Sequence, residues 1–442
     1  MSPGADPGCP RDAAWRVLRD VARGDRADGA ADRRFGRLDP RGRRLAMELA
    51  YGCVRLRARL DHELRALVDR PLPRVDPGLL DWLRLGLYQL RELRVPDHAA
   101  VDESVEGARR TEGRGAAGFA NGVLRAAARV EDRTALFPDP DEEPLEHLVA
   151  WGSHPRWLLR RWLERWSPDR VRELVELDNR PPSVTLRLLE GDQGGARRAA
   201  RAVGTALEPL PGWPRCAVLE GGDPTDLLER VPAVVQDPAA SAVVDYVDAI
   251  PEAPVLDACA APGGKALALA HAWPRARPFV AADVRPDRLR RTLEASRRVG
   301  VRVHCVAMDA RAPATGQAGL VLVDAPCTGT GTLRRRPDAR WRVGPERLAS
   351  LEGLQREILD GCADRVAPGG LLVYATCSLE PEENEEQVEA FLDRRPDFRR
   401  SPPEPGDGLP PDVLDDAGDL RVLPWQRDTD GAYAARLRRE PR

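Results

Sequence analysis

Hydrophobic residues recur at three- and four-residue steps through the first third of the chain. Two such series are Leu49, Cys53, Leu56, Leu60, Leu64 and Leu67, and then Leu80, Leu83, Leu87 and Leu90. This spacing places the apolar side chains of each series on one face of an α-helix. Prolines at positions 71, 73 and 77 break the chain between the two series. The pattern over residues 11–130 therefore predicts an all-α helical bundle.

Short apolar runs alternate with amphipathic stretches from residue 233 to the C-terminus. Predicted strands cover residues 254–257, 278–282, 301–307, 319–323 and 370–376, with a closing pair near 420–423 and 431–437. Predicted helices cover residues 286–298, 345–366 and 382–394. This alternation is typical of an α/β, Rossmann-like doubly wound sheet.

The region between these two patterns is less regular. Residues 131–147 are rich in proline and acidic side chains, which indicates a linker. A helix near 197–203, between strands near 183–188 and 216–219, predicts a small α/β subdomain. We therefore predict three domains, a helical bundle at 1–135, a small α/β linking subdomain at 145–232 and a Rossmann-like domain at 233–442.

Composition favours a soluble intracellular protein. The 442 residues contain no apolar run long enough to span a bilayer, and the polar segment Met1–Cys9 does not resemble a signal peptide. We expect a cytoplasmic monomer with no membrane partner. The eight cysteines form no CxxC pair and only six histidines are present, so we expect neither a metal site nor a disulfide framework.

Charge is distributed unevenly along the sequence. The net charge is −3, yet residues 1–130 hold 25 arginines against 19 acidic residues, whereas the remainder is acidic. This asymmetry favours a basic binding module attached to an acidic domain. A solvated helical surface with mixed charges would give the same counts, so charge alone leaves both interpretations open.

A glycine-rich turn follows the first predicted strand of the Rossmann-like domain and reads Asp-Ala-Cys-Ala-Ala-Pro-Gly-Gly-Lys over residues 257–265. Gly263 and Gly264 let a ligand approach the backbone closely and leave amides free at the start of the next helix. A phosphate-binding P-loop is excluded, since it needs glycine at Cys259 and a hydroxyl at Ala266.

Lys265 is the only lysine in the chain, and every other basic side chain is arginine. A lysine kept in such a composition indicates a position where a compact ammonium fits and a planar guanidinium does not. Chance placement of a single lysine is the alternative.

Four acidic residues follow the predicted strands, at the sheet edge where α/β proteins bind ligands. They are Asp257, Asp283, Asp309 and Asp324. Asp283 lies 20 residues after Gly263, where a carboxylate can accept both ribose hydroxyls of a nucleoside cofactor. Asp309 could accept from an adenine amino group. One such acid alone could equally be a helix N-cap, but four at successive strand ends indicate a cofactor site.

Two cysteines also follow predicted strands on this side of the sheet, Cys327 in Asp-Ala-Pro-Cys and Cys377 in Thr-Cys-Ser. A lone cysteine is most often a small buried hydrophobic residue. Two cysteines beside a predicted cofactor edge indicate thiol chemistry instead.

The sequence resembles known families in two regions. Residues 83–90, 95–101 and 119–125 are similar to the RNA-binding helical bundle of the NusB family, and this likeness spans residues 11–130. The motifs at 257–265, 324–327 and 376–385 are similar to those of RNA cytosine-5 methyltransferases. Together they resemble the RsmB type of bacterial 16S ribosomal RNA cytosine-5 methyltransferases over nearly the whole chain.

The resemblance implies a cofactor, a substrate and a set of site residues. The substrate would be one cytosine of 16S ribosomal RNA, modified before the subunit is assembled. Asp324 would act as a general acid toward the base, and Lys265 would steady the base or its developing charge. The residues implied to bind S-adenosylmethionine are Cys259, Ala260, Ala261, Pro262, Gly263, Gly264, Lys265, Asp283, Asp309 and Asp324.

Spacing does not decide which thiol attacks C6 of the cytosine. In DNA cytosine methyltransferases the nucleophile follows a proline, which nominates Cys327. In the RNA family it is the cysteine after threonine, which nominates Cys377 and leaves the other thiol to assist product release. We follow the RNA family and expect Cys377 to be the nucleophile, although no histidine near it in sequence explains its deprotonation.

The chain departs from the family pattern at two positions. Tyr433 stands in a region where two phenylalanines are usual, and Thr328 replaces the commoner serine. Two alternatives remain, a methyltransferase for another ribosomal or transfer RNA site and a non-catalytic RNA-binding assembly factor. The NusB-like region argues against the first, and the retained cysteines and acids argue against the second.

Overall fold

The computed structural model describes residues 8–248, 253–404 and 409–441, which fold as two compact units. The first unit holds the chain up to Arg180 together with Leu333–Gly344, and the second holds Pro181–Thr332 and Pro345–Arg442. The predicted domains also include residues 1–7, 249–252, 405–408 and 442, which lie outside the described residues. Within the described residues, no helix is long and apolar enough to cross a membrane, and no three His, Cys, Asp or Glu side chains cluster as metal ligands would.

Helices build the first unit, and the bundle predicted over residues 11–130 is confirmed. Both predicted apolar series lie in its core, where Leu49, Leu64 and Leu83 are fully buried. The helices are Pro10–Ala22 (α1), Ala27–Arg34 (α2), Pro40–Arg55 (α3), Arg57–Leu67 (α4), Pro77–Glu92 (α5), Asp97–Glu112 (α6), Arg114–Ala128 (α7), Pro144–Ala150 (α8), Arg156–Arg165 (α9) and Pro168–Asn179 (α10). Short 3₁₀ turns occur at Leu72–Arg74 and Thr134–Leu136.

A small antiparallel sheet begins the second unit. Its strands are Val184–Leu188 (β1), Ala206–Pro209 (β2), Cys216–Glu220 (β3) and Ala233–Val235 (β4), in the spatial order β2-β3-β1-β4. The helices Gln193–Ala202 (α11) and Pro224–Leu228 (α12) complete a ferredoxin-like β-α-β-β-α-β arrangement.

Both faces of this small sheet are covered. Leu186 and Leu188 pack with Ala196 and Ala200 of α11 on one face. On the opposite face the buried Arg187 donates to the carboxylate of Asp245, in helix Pro238–Val247 (α13), at 2.6 Å. The small sheet is therefore packed into the second unit, whereas the linking subdomain predicted at 145–232 also includes residues 145–180 of the first unit.

The larger sheet confirms the predicted Rossmann-like fold. Its strands are Val255–Asp257 (β5), Phe279–Asp283 (β6), His304–Ala307 (β7), Ala318–Asp324 (β8), Val366–Thr376 (β9), Phe398–Arg400 (β10), Leu420–Val422 (β11) and Ala432–Arg439 (β12). The remaining helices are Gly264–Ala272 (α14), Pro286–Arg298 (α15), Ala339–Arg342 (α16), Pro345–Ala363 (α17), Glu385–Arg394 (α18) and Pro424–Arg427 (α19). Further 3₁₀ turns occur at Thr330–Thr332, Pro381–Glu383 and Pro411–Val413.

The strand order of this sheet is β10-β12-β9-β8-β5-β6-β7, with β11 paired to β12. Strands β5 to β9 run parallel, and β12 is antiparallel to β9. The order reverses at β5, which has β6 on one side and β8 on the other, and sheets of this kind bind ligands at the carboxyl ends of the strands beside such a reversal. Near this end of the chain, Tyr433 is buried and its hydroxyl donates to Asp419 at 2.6 Å, so the departure from the family pattern is well packed.

Residues 333–344 leave the second unit and pack among the helices of the first. Arg340 in α16 is 1% exposed, and its guanidinium donates to the carbonyls of Arg55, Ser153 and Asp178 and to Oδ1 of Asn179, at 2.9–3.1 Å. Arg55 ends α3, and Asp178 and Asn179 end α10, where carbonyls lack helical partners and the helix dipole favours a cation. The domain predicted at 233–442 includes this segment.

Replacing Arg340 with methionine should destabilise the first unit. The substitution leaves three buried carbonyls without their donor, and such losses cost about 1–3 kcal/mol each before relaxation. We expect Arg340→Met to lower the free energy of unfolding by about 3 kcal/mol or more in denaturant titrations followed by tryptophan fluorescence. The exposed Arg44→Met is the matched control and should change it by less than about 0.5 kcal/mol. Equal effects of the two substitutions would contradict the role given to Arg340.

Candidate active site

The residues predicted to hold the cofactor form the connection between β5 and α14. The Ala260 amide donates to the Ala282 carbonyl of β6 at 2.7 Å, which ties the loop to the neighbouring strand. Gly263 has a φ of +107°, and a Cβ there would lie 2.7 Å from Cγ2 of Thr292 on α15. Because both the backbone conformation and this close contact exclude a side chain, only glycine fits at position 263.

The loop leaves a cradle at the start of α14. A Cβ on Gly264 would lie 3.3 Å from Nε2 of Gln236, so this position also has little room for a side chain. No side chain caps the first turn of α14, so its amides can donate to polar ligand atoms. Pro262, which precedes the glycines, is exposed and follows a cis peptide bond. Cys259, earlier in the loop, is largely buried, and this burial raises the pKa of its thiol well above the ordinary value.

Asp283 ends β6 and fixes the cofactor loop. Its carboxylate accepts from the amides of Ala261 at 3.2 Å and Arg285 at 2.8 Å. Arg288, which the sequence patterns did not single out, donates to the Ala261 carbonyl at 2.6 Å. Carboxylate oxygens have acceptor capacity beyond these two bonds, so Asp283 can still accept from ligand hydroxyls.

Asp257 and Asp309 lie at the predicted strand ends but in contrasting surroundings. Asp257 is fully buried, and burial together with the charge of Asp324 raises its pKa to about 8, so it is neutral at pH 7. Asp309 is half-exposed and its carboxylate accepts from both the guanidinium and the amide of Arg311, which lowers its pKa. The carboxylate of Asp309 is thus engaged by a neighbouring arginine.

Lys265 and Asp324 form an ion pair between the start of α14 and the end of β8. Lys265 Nζ lies 2.8 Å from Asp324 Oδ2, and the lysine side chain is 15% exposed. Burial lowers the pKa of Lys265, but the charge of Asp324 and the hydrogen bond to it raise that pKa by more. The ammonium therefore stays charged, and Cys377 lies close enough to add to this stabilisation.

The two predicted catalytic cysteines meet at the ends of β8 and β9. Cys327 Sγ and Cys377 Sγ are 3.4 Å apart, and both thiols are partly buried. The hydrogen bond to Cys377, and then burial, raise the pKa of Cys327 well above its ordinary value. Cys327 is therefore a neutral thiol that can donate to Cys377, while the nearby Lys265 ammonium favours negative charge on Cys377. The structure thus brings Cys327, Cys377, Lys265 and Asp324 together.

Two neighbouring residues that the sequence reasoning did not assign to the site, Glu383 and Asn384, support both cysteine loops. Glu383 accepts from the Thr328 amide at 2.8 Å and from the Thr328 hydroxyl. The Asn384 side chain accepts from the Thr376 hydroxyl at 2.5 Å and donates to the Ser378 carbonyl at 3.0 Å. The available signal was the sequence Leu-Glu-Pro-Glu-Glu-Asn-Glu over residues 379–385, which carries no spacing rule that names these contacts.

Comparisons with known proteins agree in both regions of the chain. The family model of 16S rRNA methyltransferase RsmB/F matches residues 246–438, and that of the NusB family matches residues 9–129. A solved structure named PH0851 superposes with a TM-score of 0.78 at 24% identity, covering 99% of this chain and 100% of that one, which shows a shared fold.

Curated relatives match along most of their length. The probable ribosomal RNA small subunit methyltransferase B of Bacillus subtilis is 32% identical over 420 residues, which is 91% of this chain and 92% of that protein. Ribosomal RNA small subunit methyltransferase B of Vibrio cholerae is 34% identical over 414 residues, 91% of this chain and 90% of that protein. The chain therefore belongs to the RsmB family of ribosomal RNA small subunit methyltransferases, with a NusB domain preceding the methyltransferase domain.

Proposed function

We propose that this protein transfers a methyl group from S-adenosylmethionine to C5 of a cytosine in 16S ribosomal RNA, through a covalent bond between Cys377 and C6 of that base. The observation that carries the proposal is the pair of thiols 3.4 Å apart beside the Lys265–Asp324 ion pair. The names of the relatives and the basic, NusB-like bundle support ribosomal RNA as the substrate.

The cofactor cradle fits S-adenosylmethionine, which supplies an electrophilic methyl group when bound. The glycine backbone and the open amides of α14 suit its polar atoms, and Asp283 suits its ribose hydroxyls. Residues 259–265 and Asp324 would complete the site. Asp309 can join it only if its carboxylate turns away from Arg311.

The first step requires a thiolate at Cys377 and a proton at N3 of the base. The Cys377 thiolate adds to C6, and the electrons of the C5–C6 double bond shift toward N3 and make C5 nucleophilic. The proton for N3 would come from the charged Lys265, 2.8 Å from the Asp324 carboxylate, and would pass through that carboxylate. This transfer leaves Lys265 neutral until a proton returns to it. The target base must leave its stack for a buried thiol to reach C6.

Release requires loss of the C5 proton after the methyl group has been added. As a base removes this proton, the C5–C6 double bond reforms and the C6–sulfur bond breaks, so Cys377 leaves as a thiolate. Cys327 can serve as that base once its own proton has passed to water. The largest cause of its raised pKa is the hydrogen bond to Cys377, and this cause is lost once the Cys377 sulfur is bonded to carbon.

Alanine at each cysteine should separate attack from release. With 16S ribosomal RNA and S-adenosylmethionine, Cys327→Ala should accumulate a protein–RNA adduct that survives denaturing electrophoresis, because C6 is attacked but Cys377 is not freed. Cys377→Ala should form none, and turnover of both should fall by about 100-fold or more. The opposite adduct pattern would exchange the two roles. Failure of the unmodified protein to transfer an isotope-labelled methyl group from S-adenosylmethionine to the RNA would refute the proposed function.

Arginine in place of Lys265 should impair methyl transfer without unfolding the protein. A guanidinium keeps the charge but not the compact shape that fits 2.8 Å from Asp324 beside Cys377. We expect Lys265→Arg to lower the single-turnover rate by about 100-fold, with the melting temperature nearly unchanged. Arg44→Lys, the reverse exchange at an exposed position, is the control and should leave the rate unaltered. A normal rate in Lys265→Arg would show that any cation suffices.

Alanine at Gly263 should weaken cofactor binding and lower stability. Gly24 has a similar φ of +102° but nothing within 4 Å of its Cβ position, so Gly24→Ala isolates the cost of the backbone conformation. Gly263→Ala adds the contact with Thr292 and should be about 1–3 kcal/mol less stable than Gly24→Ala. Calorimetric titration with S-adenosylmethionine should show weaker binding for Gly263→Ala only. Equal affinity of the two variants would remove Gly263 from the cofactor site.

A further inference from the structure

Glu383 and Asn384 bind residues next to both active-site cysteines, Glu383 the residue after Cys327 and Asn384 the residues on either side of Cys377. We infer that this dipeptide is a positioning element, which sets the separation and alignment of the Cys327 and Cys377 thiols. Neither residue is placed against the reacting base, so each acts through the loops that it holds. The inference deepens the proposed function, since the spacing of the thiols matters there for release.

The loop of Cys327 is fixed on both sides of the cysteine. Glu383 accepts from the backbone amide of Thr328, the next residue, at 2.8 Å and also from its hydroxyl. Gln355 on α17 donates from Nε2 to the carbonyl of Pro326, the preceding residue, at 3.0 Å, and to Oε1 of Glu383 at 3.0 Å. The Pro326 carbonyl and the Thr328 amide, on either side of Cys327, are therefore both connected to the Glu383 carboxylate, the first of them through Gln355.

The loop of Cys377 is fixed in a corresponding way by Asn384. Its Oδ1 accepts from the hydroxyl of Thr376 at 2.5 Å, and its Nδ2 donates to the carbonyl of Ser378 at 3.0 Å. The Gly331 amide donates to the carbonyl of Cys377 itself at 3.0 Å, which joins the two loops directly. The residues before and after each cysteine are thus hydrogen-bonded to the dipeptide Glu383–Asn384, either directly or, for Pro326, through Gln355.

Burial gives this arrangement its stiffness. Glu383 is fully buried, and burial raises the pKa of its carboxyl although the donors from Ser378, Thr328 and Gln355 act in the opposite direction. A buried carboxylate is costly unless it is fully hydrogen-bonded, and its network then holds one geometry. The hydroxyls of Thr328 and Ser378 lie 3.1 Å apart beside it, so a change at Glu383 reaches both cysteine loops.

Oxidation of the two thiols measures their spacing without any RNA. Diamide takes two electrons and two protons from the thiols and is reduced to the hydrazine, while a sulfur–sulfur bond forms. This bond has strict geometric requirements, so thiols held 3.4 Å apart should join readily and misaligned thiols slowly. The disulfide-linked peptides of Cys327 and Cys377 would be quantified by mass spectrometry over time.

We expect Glu383→Ala to form this disulfide at least about tenfold more slowly than the unmodified protein, and Glu383→Gln, which keeps one acceptor oxygen, to fall between them. Glu389→Gln makes the same charge change at an exposed position of α18 and should match the unmodified protein. An unchanged rate in Glu383→Ala would overturn the inference. If Glu383→Ala does not fold, an unchanged rate in Glu383→Gln would overturn it instead.

A second readout joins the positioning role to catalysis. With Cys327 still present, Glu383→Gln should accumulate the covalent protein–RNA adduct and lose kcat, by up to about 100-fold, while KM for the RNA stays within about twofold. A merely structural role would instead lower the amount of folded enzyme and leave no adduct. Slow disulfide formation in an enzyme that never forms an adduct would keep the positioning role and refute the proposed chemistry. A normal release rate in Glu383→Gln would refute the positioning role.

Discussion

A lysine ammonium 2.8 Å from an aspartate carboxylate governs the charges around Cys327 and Cys377. The lysine side chain is 15% exposed and the aspartate side chain 34%, so the lysine in particular would be costly to hold there without its partner. Their pairing keeps a positive charge beside Cys377, which would favour a thiolate there in the proposed reaction. The neutral Cys327 then follows, because two thiols 3.4 Å apart do not both ionise readily.

Sequence patterns predicted the fold of the methyltransferase region closely because periodicity and strand ends obey simple rules. Apart from Phe398–Arg400, which was not predicted, the strands of its larger sheet and the helix Pro286–Arg298 follow from apolar spacing, as does the helical bundle of the first unit. Asp257, Asp283, Asp309 and Asp324 indeed lie at the carboxyl edge, since parallel strands in a doubly wound sheet end on one side. The roles of these residues toward a cofactor stay predictions.

Other features could not be read from spacing because they depend on contacts between distant parts of the chain. Arg340 binds backbone carbonyls, and because every residue has a carbonyl, the sequence does not show which ones it binds. Glu383 lies in an acidic run that suggests a solvated surface, yet it is fully buried. Asp309 could accept either from an adenine amino group or from Arg311, and the sequence does not show that its carboxylate binds Arg311. The small sheet was predicted as a separate linking subdomain, and its packing into the second unit could not be read from the sequence, because its second face is buried on Arg187, a residue type usually found in water.

The excursion of residues 333–344 has a consequence for how this chain is made. The first unit lacks Arg340 and its donors until three-quarters of the polypeptide has left the ribosome, although its helices emerge long before. Domains that are continuous in sequence can complete their folding in order of synthesis. Here several helix-end carbonyls of the nascent bundle stay exposed to solvent until Arg340 is available. The first unit can therefore complete its packing only after the loop of Cys327 has been translated.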